Sequence, residues 1–151
     1  GQAIREDYYR RAFGDAYEQM KAYWTLIEEA AEDIVFEQKP ADAVWDESFY
    51  NKAYGYLDRA EQAVQRQKEI YADRLALVRA GLDYMRLYRE NRQIIARLKD
   101  ADKKDEDALK TARNNWDKIV QILEDHSLVV NSMYIRPGRG RLERANPDAS
   151  N

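Results

Sequence analysis

The chain has 151 residues, a length for one domain with a real hydrophobic core. Its 25 Lys and Arg stand against 28 Asp and Glu for a net charge of −3, which removes the electrostatic footprint of a nucleic-acid binder. The absence of Cys excludes disulfide frameworks, thiolate metal sites and cysteine nucleophiles, and a single His excludes any site built on two imidazoles.

No apolar run approaches the ~18 residues of a membrane span, and no signal-like apolar segment opens the chain. It starts at Gly1-Gln2 without Met, which reads as a piece excised from something longer. Ala occurs 20 times, whereas Val, Ile and Thr together supply 18 residues, and Pro40 is the sole Pro between positions 15 and 137. Strand-built domains need β-branched runs and frequent turn residues, so the expectation is an all-α fold.

The first helix is expected from about Ala3 to Phe36. Ile4, Tyr8, Ala12, Ala16, Met20, Tyr23, Ile27, Ala30 and Ile34 form one stripe at spacings of three and four. Tyr9, Phe13, Tyr17, Trp24, Ala31 and Val35 form a second row beside it, widening the apolar arc to roughly 140°, beyond the usual surface helix. Such a helix needs cover from more than one neighbour. Gly14 lies inside the pattern as either a break or a point of close backbone approach.

Lys39-Pro40-Ala41-Asp42 ends this helix, because the residue before Pro is pushed out of the α region. Val44 and Trp45 are expected to tuck the linker onto the body, and Asp46 to cap the second helix. The stripe Phe49, Ala53, Leu57, Ala60, Val64 is followed by Tyr71, Leu75, Val78, Leu82 and Met85 with little phase slip. One helix from Asp46 to Lys99 would be about 80 Å long, so a break is expected near Gln65–Glu69; the rival is an unbroken coiled-coil arm. The third helix runs to Lys99, with Leu87, Tyr88, Ile94, Ile95 and Leu98 on its buried face. Asp105 caps a fourth, whose stripe is Leu109, Ala112, Trp116, Ile119, Val120 and Leu123. The segment 127–135 is apolar and ambiguous, and residues 136–151 are expected to form an extended or mobile basic tail. The architecture so assembled is a four-helix, mostly antiparallel bundle over residues 1–135 followed by that tail.

Few constellations with chemistry survive inspection. A di-iron bundle needs Glu-x-x-His twice, but the single His126 has Leu123 three residues before it and reads as a helix-end residue. Glycosidase chemistry needs two carboxyls converging at about 5–10 Å, whereas the acids here fall on polar faces and loops. Asp58 and Asp83 lie nearer the apolar faces and are expected to pair with Arg. Arg136, Arg139 and Arg141, interleaved with Gly138 and Gly140, lack a phosphate-loop ending and read as a solvated tail or as a grip on an anion or acidic partner. Tyr9, Phe13, Tyr17 and Trp24 read as core, as contacts with an absent domain, or as a platform that stacks on a ligand. No catalytic, cofactor or metal site is expected.

The run Tyr8-Tyr9-Arg10-Arg11-Ala12-Phe13-Gly14-Asp15-Ala16-Tyr17 with Met20-Lys21-Ala22-Tyr23-Trp24 resembles the start of the C-terminal helical region in a bacterial glycoside-hydrolase-like family of unknown function, related to α-glucuronidases and β-hexosaminidases. Leu57-Asp58-Arg59-Ala60-Glu61, Arg74-Leu75-Ala76-Leu77-Val78-Arg79 and Leu82-Asp83-Tyr84 resemble its later helices, so the similarity covers about residues 8–98. The resemblance implies a secreted or periplasmic parent that acts on polysaccharide through an upstream β/α barrel. No catalytic residue of that barrel falls in this chain. The resulting expectation is a non-catalytic accessory domain that packs on a missing upstream domain of the same polypeptide or mediates association. The alternative is a self-contained coiled-coil or dimerisation module; a homo-oligomer is compatible with either, and neither nucleic acid nor membrane is a partner.

Overall fold

In the computed structural model, residues 2–100 and 105–126 are described, with the side chains of Gln2, Ala3 and Asp100 left aside. Every regular element among them is helical: α1 (Gln2–Phe13), a 3₁₀ turn (Gly14–Ala16), α2 (Tyr17–Val35), the single turn α3 (Ala41–Val44), α4 (Glu47–Val64), α5 (Glu69–Asp100) and α6 (Glu106–Asp125). The expected basic tail and the segment 127–135 lie outside the described residues.

The expected single helix from Ala3 to Phe36 is two helices. Phe13 leaves the helical region at φ −129°, Gly14 adopts φ +55°, and the chain turns back through the 3₁₀ turn into α2. Glycine reaches this left-handed conformation without the penalty a Cβ brings, as at many helix C-termini. Gly14 is also a place of close approach. A Cβ built there would overlap Gln67 Oε1 and stand 2.9 Å from the Tyr71 ring. Of the two alternatives open at the sequence level the break is realised, while what comes close to Gly14 is side chains and not another backbone. Arg5 pairs with Glu28 at 2.7 Å and Lys21 with Glu6 at 3.3 Å, tying α1 alongside α2.

Where caps are local, the chain follows expectation. Asp46 accepts from the Phe49 amide at 2.8 Å and Asp105 from the Ala108 amide at 3.0 Å, each satisfying an otherwise orphaned helix-start N–H. α2 ends beyond Val35, with Gln38 at φ +54° and Lys39 bound to Asp33 at 2.9 Å; Pro40 then opens α3. Val44 and Trp45 are half-buried, as expected of a linker tucked inward. The break between α4 and α5 falls at residues 65–68, so no unbroken arm forms.

The chain clusters into two units, Gly1–Leu82 and Asp83–Asn151, the boundary lying within α5. In the first, α2 packs chiefly on α4. Met20, Tyr23 and Ala30 meet the stripe Phe49, Ala53, Leu57, Ala60 and Val64, and fully buried Ala16, Ala53 and Ala60 let the backbones come close. Arg79 of α5 reaches Asp58 and Glu61 at 2.6 Å each, which fulfils the expected Arg pairing of Asp58. The Glu61 bond is the largest of the contributions that hold this half-buried guanidinium charged. In the second unit, Ile94 of α5 packs with Ala112, Trp116, Ile119 and Leu123 of α6, the stripe read from the sequence. Tyr88, expected on that buried face, is instead exposed and stacks on Tyr84 with ring centroids 6.0 Å apart. Asn91 is buried in this unit and donates to the Ala112 carbonyl at 3.1 Å.

Replacing Gly14 with Ala should cost about 2 kcal/mol, since it adds left-handed strain to displacement of Gln67 and Tyr71. The effect would be read as a lower urea midpoint at unchanged slope. Asp105→Ala, which removes only a cap, should cost about 1 kcal/mol in the same measurement.

Candidate functional site

The two apolar rows of α1 stand about 100° apart, since successive residues turn by that angle. Only one row can face α2. Tyr9 and Phe13 take that side, buried, with ring centroids 6.4 Å apart. The other row, Ile4 and Tyr8, is left facing water at 76% and 62% exposure.

Beside this exposed row lies an open groove of about 610 Å³. α1 forms one wall with Ile4, Tyr8 and Ala12; Leu77 and Val78 of α5 form the other; Phe13 and Trp24 complete the apolar lining. Trp24 is half-buried and held edge-on by Tyr23, with centroids 5.2 Å apart. The charged groups of the groove are Asp7, Arg11 and Arg74, and each already has a partner. Arg11 binds Asp7 at 2.9 Å across one helical turn. Arg74 donates to the carbonyls of Ala12 at 2.8 Å and Arg11 at 3.2 Å, satisfying acceptors that the end of α1 leaves open.

The wall is positioned by a stripe at the start of α5. Gln67, just ahead of that helix, accepts from the Asp15 amide at 3.2 Å, Tyr71 covers Gly14, and Arg74 caps α1. Val78 continues the same spacing into the groove. The corner of α1 is thereby clamped, and with it the direction of the exposed row.

The four aromatic residues singled out in the sequence do not form one strip. Tyr9 and Phe13 are core residues of α1; Tyr17 and Trp24 lie beyond the corner on α2. Tyr17 is half-buried beneath Arg10, whose guanidinium carbon is 3.7 Å from the ring centroid and whose Nη2 donates to the phenol at 2.8 Å. Hydrogen bonding to Glu18, foremost, pushes the Tyr17 phenol above its ordinary range. Phe13 and Trp24 reach the groove; Ile4 and Tyr8, which also line it, stood in the core stripe of the sequence reading. The signal that would have found them is Gly14: a break there ends the stripe and frees the row before it. Arg136, Arg139 and Arg141 lie outside the described residues.

Among the described residues no group of three His, Asp or Glu is placed to hold a metal ion, and no helix is long and apolar enough to cross a membrane. No protein-family model, curated protein or solved structure matches the chain.

Arg74→Ala should fray the end of α1 at a cost of about 1 kcal/mol, two bonds to an exposed cation being lost. Amide exchange at Asp15 and Ala16 should accelerate while exchange within α4 stays unchanged.

Proposed function

We propose that this chain is a non-catalytic helical module that works by association, burying the Ile4–Tyr8 face against another protein surface. The observation that carries the reading is the exposure of Ile4 and Tyr8 beside an apolar groove whose charged groups are already engaged. A contiguous apolar surface of this kind is what interaction sites present. A small polar ligand would find no uncommitted charge among the lining residues, whereas apolar side chains of a partner would find Leu77, Val78 and Trp24.

In the setting that the family resemblance implies, the module is an accessory domain of a longer carbohydrate-active protein, and the surface it meets is the upstream barrel. Residues 1–135 then act as one domain, a four-helix, mostly antiparallel bundle in which the α1–α2 hairpin replaces a single first rod. A second copy of the chain is the other surface on offer.

Because the chain has no Cys, Ile4→Cys carries a single thiol and reports directly on the face. Expressed within the open reading frame the chain comes from, and read by mass spectrometry on the peptide that carries it, this thiol should react with a maleimide roughly ten-fold or more slowly than one placed at exposed Thr25. Equal rates at working concentration would defeat the association reading.

A further inference from the structure

We infer that Asn91 and Asn115 form a water-bridged lock that fixes the register of α6 on the second half of α5. Among the described residues these are the two buried polar side chains, 4% and 5% exposed, and both lie in the second unit. Asn91 Nδ2 donates to the Ala112 carbonyl at 3.1 Å. That bond also fixes which way the Asn91 amide points, because its oxygen in the same place would face another acceptor. Ala112 and Asn115 are three residues apart on one face of α6, so the Asn115 amide stands beside the spot that Asn91 reaches. Two atoms are then buried without a hydrogen-bond partner among the described residues: Asn91 Oδ1, an acceptor, and Asn115 Nδ2, a donor. The deficits are complementary. One water that donates to Asn91 Oδ1 and accepts from Asn115 Nδ2 answers both, and a buried polar group left unmet is costly.

The need for a lock comes from the repetition around it. Asn91 interrupts the α5 stripe Leu87, Ile94, Leu98, and Asn115 interrupts the α6 stripe Ala112, Ile119, Leu123, each at spacings of three and four. Slipping one helix along the other by a turn would still set apolar side chains on apolar side chains, so burial alone discriminates poorly between registers. The same slip would part the two amides and bury each against hydrocarbon. A buried Asn in a helix pair selects register in this way, at some cost in stability.

NMR of the 15N-labelled 151-residue chain tests the bridge. The side-chain amide of Asn115 should show rotating-frame cross-relaxation with a long-lived water, and that of its exposed neighbour Asn114 should not. Asn91→Leu and Asn115→Leu should each raise the unfolded-to-folded ratio about ten-fold, and the double variant should raise it by less than the two effects multiplied. Register has its own readout. The double Leu variant should keep its helicity by circular dichroism, while the indole N–H of buried Trp116 splits into more than one resonance where the wild type gives one. Absence of the water contact at Asn115 in the wild type overturns the proposal. So do single-variant effects that simply multiply, or a folded double Leu variant with one Trp116 resonance.

Discussion

Between α1 and α2 the chain reverses through Gly14, held at φ +55° with Gln67 and Tyr71 pressed against it. That contact joins two corners far apart in sequence, the end of α1 and the α4–α5 connection, and much of the first unit depends on it. If the reversal were absent, α1 would continue the axis of α2 and Ile4 could not stand near Leu77 and Val78. Glycine is needed twice over, for the sign of φ and for the lack of a Cβ. Arg74 then fixes the reversal electrostatically, by giving its N–H groups to carbonyls that the broken helix exposes. The groove is a by-product of this clamp, because the residues that grip the corner also place Val78 one turn further along.

How much of this could be read from sequence depends on how far each feature reaches. Asp46 and Asp105 were legible as caps because a cap involves an amide three residues away and little else. The stripes of α4 and α6 were legible because burial on one face imposes a period that survives any neighbour. The break at residues 65–68 carries no Gly or Pro, and only the length of the alternative helix argued for it. Gly14 misled for a physical reason. Ile4, Tyr8, Ala12, Ala16 and Met20 keep a spacing of four straight through the corner, so periodicity cannot see the turn. What decides it is Gln67, a residue distant in sequence and invisible to any local window.

The same error hid the candidate site. Treated as one helix, residues 4–34 carry a broad apolar arc whose aromatic side looks spare. With the helix broken, the surplus moves: Tyr9 and Phe13 turn inward, and Ile4 and Tyr8 become the exposed pair. Among the described residues the apolar side chains that α1 leaves facing water are Ile4 and Tyr8, not the aromatic row expected there. Tyr88 is a smaller instance in the second unit, where a ring expected on the packed face lies outside and stacks on Tyr84.

Magnitudes favour a partner of modest affinity. Burying a large apolar side chain contributes about 1.5–3 kcal/mol, so Ile4 and Tyr8 from each of two copies offer about 6–12 kcal/mol before any cost. Loss of translational and rotational freedom opposes this with about 4 kcal/mol or more. The balance is at most about 8 kcal/mol, which caps the affinity near micromolar. Exposed ion pairs add little: Arg5 with Glu28 ties α1 to α2, Arg11 with Asp7 lies within α1, and both pairs are solvated. The positive groups around the groove are spent on the fold itself, with Arg74 on helix-end carbonyls and Arg10 on Tyr17. A surface whose charges are already committed and whose free energy resides in exposed rings and branched chains recognises shape, and shape recognition at this strength suits association that depends on concentration or on a covalent tether.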